Sequence, residues 1–187
     1  MSRITGALVR AGFRVGRFEF FYMHRRRIEG GKRPPDPWPR LLECWRNVIE
    51  SVHNDNPGEP ILIGGKSMGG RVASHILTEE PREPVAGAMV FGYPFHPPGK
   101  PQQWRTHHFP ALQRPLWIVQ GERDAFGKRS EVSQIDWGPA PVSLHWLTAG
   151  DHDLVPTKRS GLTSDRLLAE AAAAARDFAH QCLEAGQ

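Results

Sequence analysis

A mostly parallel β-sheet with helices on both faces is the architecture this chain predicts, and three observations carry it. Helical and strand-type periodicities alternate along the sequence. The interior strand-type runs at 85–91 and 116–120 are almost continuously apolar, as strands buried on both faces must be. Each of these runs stops at a glycine, Gly92 and Gly121. At 187 residues the chain is expected to form one domain, 1–187, with a substantial core.

The elements follow in order. Residues 1–11 carry Ile4, Leu8 and Ala11 at helical spacing and stop at Gly12. Residues 14–20 alternate Val15, Arg17 and Glu19 against Gly16, Phe18 and Phe20, which predicts a strand. Residues 22–39 are basic and proline-rich and read as a loop ending at Asp36-Pro37, a cap and a first helical residue. Leu41, Leu42, Trp45, Val48, Ile49 and Val52 then form one apolar stripe, predicting an amphipathic helix laid on a sheet. A short strand at Ile61-Leu62-Ile63 precedes a helix with Val72, Ile76 and Leu77 on one face. After the two buried runs, 142–147 reads as the last strand. The closing helix starts near Thr163 or Ser164 and repeats Leu167, Leu168, Ala171, Ala175, Phe178 and Cys182 on one side.

Composition excludes several classes. Hydrophobic content of 39% and charge of 24% are ordinary for a soluble globular protein. No run approaches the roughly 20 apolar residues of a membrane span, and the N-terminus lacks a secretory apolar core, so a cytoplasmic location is expected. Cys44 and Cys182 fall in predicted helices without metal-ligand spacing and read as reduced thiols. The net charge of +4 gathers at Arg25-Arg26-Arg27 and Lys32-Arg33. That run reads as a solvated loop before an anion-binding patch, and nucleic acid is not expected as a partner.

The chemistry gathers at Gly65-Lys66-Ser67-Met68-Gly69, a G-x-S-x-G between a strand and a helix. In such an elbow the serine sits on a strained turn, and glycines two residues to either side avoid collision with the neighbouring strand and helix. Asp124 follows the 116–120 run and His152 follows the 142–147 run, so both fall just beyond strand ends. The order serine, acid, histidine is that of α/β-hydrolases, with ligands expected at the carboxyl ends of parallel strands. Ser67 would attack, His152 would take and return the proton, and Asp124 would fix the imidazole. Asp136, Asp151 and Asp153 are rival acids, but Asp136 has the poorer strand context and the other two sit too near His152 in sequence. The remaining histidines are scattered and no H-E-x-x-H occurs, so neither metal nor cofactor is expected.

These stretches, together with Arg17-Phe18-Glu19-Phe20-Phe21-Tyr22-Met23 and Gly92-Tyr93-Pro94-Phe95-His96-Pro97, resemble the small α/β-hydrolase-like proteins of the KANL/Tex type, related more distantly to dienelactone hydrolases. The resemblance runs along nearly the whole chain. It implies an α/β-hydrolase fold with a minimal lid and a Ser67, Asp124, His152 triad. In this family one oxyanion donor is the N–H of the residue after the nucleophile, here Met68, and the other comes from a His-Gly-Ala-Gly-like turn ending a first strand. No His-Gly pair occurs among these residues. That strand lies centrally in the family's sheet, so its absence is expected either to bring 14–20 directly beside the strand at 60–64 or to compromise folding.

Residues 93–115 join two strands where larger hydrolases insert a lid. The segment is short and aromatic, so its Phe95, His96 and Trp104, together with Tyr22 from the 22–39 stretch, are candidates for the substrate rim, around a site suited to small acyl groups. Two functions follow. The first is a serine-dependent hydrolase of small-molecule ester or related acyl substrates. The second is a non-catalytic hydrolase-fold module that uses the basic loop to dock a protein partner.

Overall fold

The computed structural model describes residues 1–31, 33–79 and 85–184. Lys32 of the basic run lies outside them. Four parallel strands, β1 (Ile61–Lys66), β2 (Val85–Phe91), β3 (Leu116–Gly121) and β4 (Val142–Leu147), form one sheet in sequential order. Each crossover runs over a face of the sheet, as parallel pairing requires. Helices α1 (Ser2–Arg10) and α6 (Ser164–Glu184) cover one face. Helices α3 (Trp38–Asp55) and α4 (Met68–Ile76) cover the other.

The two cores divide β2 and β3 residue by residue. Ala88, Val90, Leu116 and Ile118 pack with Leu41, Trp45, Ile49 and Val72 on the α3–α4 face. Met89, Phe91, Trp117 and Val119 pack with Ile4, Leu8, Leu167 and Phe178 on the α1–α6 face. A strand buried on both sides cannot alternate polar and apolar residues, which is why these two read as continuous apolar runs.

Three expectations need correction. Residues 14–20 are extended but, among the described residues, join no sheet and leave β1 at its edge. Among the described residues, none of the backbone N–H groups from 14 to 20 is hydrogen-bonded. The stretch is held by side chains. Phe13 and Val15 pack on the α1–α6 core, Phe18 and Phe20 pack on the α3–α4 core, and Phe18 meets Trp45 edge-on at 4.6 Å. Its alternation places residues on two faces, but a strand also needs a laddered neighbour, and direct closure onto β1 does not occur.

The loop expected over 22–39 instead begins with α2 (Phe21–Glu29). The carboxylate of Asp36 accepts the Tyr22 N–H at 2.9 Å, so Asp36 serves the first turn of α2. It does not cap α3, whose N-cap position is Pro37. Helix α5 (Arg129–Val132) completes the set. No helix among the described residues is long and apolar enough to cross a membrane.

Candidate active site

Ser67 stands between β1 and α4 with φ 53 and ψ −119. A side chain in that region is strained and persists only where its surroundings enforce it. Here they do. A Cβ on Gly65 would lie 2.8 Å from the Gly69 carbonyl carbon, and one on Gly70 would lie 2.3 Å from Val90 and 2.6 Å from the Gly65 carbonyl oxygen. A Cβ on Gly69 would meet nothing within 4 Å. The steric demand after the serine therefore falls on Gly70, one residue beyond the motif's second glycine.

Asp124 is fully buried just past the end of β3. Its Oδ1 accepts the Phe126 N–H at 2.8 Å. Its Oδ2 accepts from Gln120 Nε2 at 2.8 Å and from His152 Nδ1 at 2.7 Å. With Nδ1 donating to the carboxylate, Nε2 is left as the acceptor, and it lies 2.9 Å from Ser67 Oγ. The imidazole leans on the Phe126 ring, with centroids 4.3 Å apart. Ser67 and His152 keep partial solvent access.

Gln120 is the residue sequence reasoning passed over. It is fully buried in β3, its Oε1 accepts the Tyr93 N–H at 2.7 Å, and its Nε2 reaches both the Tyr93 carbonyl and Asp124. It couples the end of β2 to the acid. The signal was one amide inside an otherwise apolar strand, since a buried polar group must be paired.

The rim candidates divide. Tyr22 (7% exposed), Phe95 (0%) and His96 (2%) are interior residues and offer no rim surface. Tyr22 stacks near Phe20, Phe95 stacks on Trp137, and His96 lies between the Pro97 carbonyl and the Glu131 carboxylate at 2.9 and 3.3 Å. The aromatics of 93–115 fold back as core because Tyr93, Phe95, Phe109 and Trp137 make one edge-and-face cluster. Trp104 alone of the four keeps partial exposure. A hollow of about 250 Å³ beside Pro115, Pro141 and Cys182 lies at the other end of the strands from Ser67.

A family model described as an alpha/beta hydrolase domain matches residues 1–180. The chain belongs to this family. No curated protein matches it. Among solved structures it is similar to the esterase domain of a Rhodothermus marinus protein, at 18% identity and TM-score 0.63, covering 96% of this chain and 78% of that one. It is also similar to a protein of unknown function from Agrobacterium tumefaciens (16%, TM-score 0.66, 98% and 77% covered). An α/β serine hydrolase homologue from Coxiella burnetii matches as well (16%, TM-score 0.58, 91% and 74% covered). At these identities the structural likeness speaks to the fold. The α/β-hydrolase fold places Ser67, Asp124 and His152 at the carboxyl ends of its parallel strands.

Proposed function

We propose that the protein is a serine-dependent hydrolase of small ester or related acyl substrates, working through Ser67, His152 and Asp124. One observation carries the reading: an unbroken chain of two hydrogen bonds, 2.9 and 2.7 Å, from a conformationally strained serine through a histidine to a buried carboxylate. His152 Nε2 takes the Ser67 proton as Oγ attacks the acyl carbon, and Asp124 stabilises the imidazolium that forms. The leaving alkoxide takes that proton, and water then cleaves the acyl-enzyme by the same relay.

The developing oxyanion is met by the Met68 N–H. As the first residue of α4 it has no intrahelical acceptor, and it stands at the positive end of the helix dipole. Removing one oxyanion donor from such a site typically costs a hundredfold to a thousandfold in turnover, so the Met68 N–H is expected to carry a large share of the rate. The narrower kinship with the KANL/Tex type rests on the motif stretches already given, and a cytoplasmic location remains part of this proposal. The docking-module reading draws on α2, where Arg25, Arg26 and Arg27 gather, but Arg25 and Arg27 face Asp36 and Glu19 at 3.6 and 3.2 Å.

The test is labelling with a fluorophosphonate. The wild-type protein should be labelled, while Ser67→Ala and His152→Ala should lose the label. Equal labelling of wild type and Ser67→Ala would remove the serine-hydrolase reading.

A further inference from the structure

Ser67 follows β1 and His152 follows β4, the two opposite edges of the sheet. The loop carrying His152 must therefore cross the ends of β3 and β2. Glycines mark its route. A Cβ on Gly121, the last residue of β3, would lie 2.4 Å from the Asp151 carbonyl oxygen, and one on Gly92, just past β2, would lie 2.8 Å from the His152 carbonyl oxygen. The loop is wound by its own bonds. The Asp151 carboxylate accepts the N–H groups of Asp153 and Val155 at 2.9 and 3.0 Å, and Leu154 turns through φ 59.

Where the loop reaches β1 it is met by a cation. Lys66 Nζ lies 2.6 Å from Asp153 Oδ1. Lys66 immediately precedes Ser67, and Asp153 immediately follows His152. Among the described residues, this pair and the Ser67–His152 bond itself are the polar side-chain contacts that join β1 and α4 to the histidine loop. We propose that Lys66 and Asp153 are positioning residues, a clasp that holds His152 Nε2 at bonding distance from Ser67. The inference rests on the reading of Ser67 and His152 as nucleophile and base.

The pair's exposure says what it does. Asp153 is 71% exposed and Lys66 23%, and ion pairs open to water contribute little to folding. The effect is geometric. A displacement of the base by about 1 Å can cost a hundredfold in rate, because the proton acceptor must meet the hydroxyl in line. The clasp is also exposed to salt, which screens such a pair over roughly 10 Å at 0.1 M.

The experiment measures p-nitrophenyl acetate turnover and fluorophosphonate labelling of Ser67 in wild type, Lys66→Met, Asp153→Asn, the double variant and the charge swap Lys66→Asp/Asp153→Lys. Each single variant should lower kcat on the order of tenfold with KM nearly unchanged. The double variant should lose no more than one single variant does, and the swap should recover part of the rate. Added salt should slow the wild type and leave Lys66→Met unaffected, a response that merely structural damage would not give. Single variants that turn over and label at the wild-type rate would overturn the clasp while leaving the triad standing. Losses that add in the double variant, with no rescue by the swap, would overturn it equally. A wild type that does not label at Ser67 would overturn the triad reading, and the clasp with it.

Discussion

The carboxyl ends of the strands and the stretch before α2 are both irregular in sequence, yet they are held in different ways. At the strand ends nearly every backbone step is bonded. Gly92 N–H reaches the Val119 carbonyl at 2.9 Å, Arg123 N–H reaches Gly150 at 2.9 Å, and His96 N–H reaches Phe126 at 3.0 Å. Side chains there leave no slack, because Gly65, Gly70 and Gly121 have backbone or a strand side chain where a Cβ would go. Residues 14–20 have packed aromatic rings, but among the described residues none of their backbone N–H groups is bonded. Burial alone can fix where a segment lies. Holding a hydroxyl, an imidazole and a carboxylate to a few tenths of an ångström takes a bonded frame, which is what the strand ends provide.

The largest effect that sharpens this contrast comes from two adjacent glycines. Gly70→Ala should destabilise the protein by at least 1–3 kcal/mol, since its Cβ must displace both Val90 and the Gly65 carbonyl. Gly69→Ala has open space around it and a helical backbone, and should be neutral or stabilising by up to about 1 kcal/mol. Urea unfolding of both variants checks this. Equal losses would mean that the elbow is not packed as described.

A smaller, pH-dependent effect should arise beside α4. His75 and His108 stack 3.6 Å apart, Trp38 sits edge-on to His75 with Arg71 over its ring, and Ser74 Oγ lies 2.8 Å from His108 Nε2. Burial, with Arg71 and His107 nearby, pushes His75 down to about 4 against the weak opposing pull of Glu79, and burial with His75 alongside pushes His108 down to about 3. Both folded values lie below the ordinary value of about 6.5, so on acidification the unfolded chain takes up protons first. Their contribution is complete above about pH 6.5 and is lost as pH falls through about 4 and then 3. The slope approaches 1.4 kcal/mol per pH unit for each histidine. Urea midpoints at pH 7, 6 and 5 should fall, and should fall less in His75→Phe. Identical slopes in the two proteins would remove the stack as the cause.

The smallest perturbation is hydrogen exchange, which changes no residue. Amides of β2 and β3 should be the most protected, and those of 14–20 should exchange orders of magnitude faster despite the burial of Phe20. Comparable protection in the two regions would mean that 14–20 has a backbone partner after all.

Legibility in the sequence follows the same division. The bounds of β2, Val85–Phe91, were readable because burial writes itself into a local apolar run, and those of β4, Val142–Leu147, because Val142, Leu144 and Trp146 alternate with Ser143 and His145. The proposed triad of Ser67, Asp124 and His152 drew on chain order and strand ends, which the sequence displays directly. Pairing was not readable for 14–20, since alternation reports side-chain faces and says nothing about whether a neighbouring strand exists. Helix α2 was hidden because only Tyr22 of its nine residues is buried, so it carries no apolar stripe. The burial of Phe95 and His96 depended on Phe109, Trp137 and Glu131, contacts distant in sequence that no local pattern reports. Gln120 and Gly70 were visible as residues, but their roles lay in atoms brought across the sheet from Tyr93, Asp124 and Val90.

The most direct test of the central claim is to map the acyl-enzyme. The protein is mixed with p-nitrophenyl acetate, quenched within the first turnovers, digested and read by mass spectrometry. The account predicts one acetyl group on the peptide containing Ser67, its rate of formation reduced by orders of magnitude in His152→Ala. An acetyl group on any other side chain, or one on Ser67 that forms as fast without His152, would contradict it.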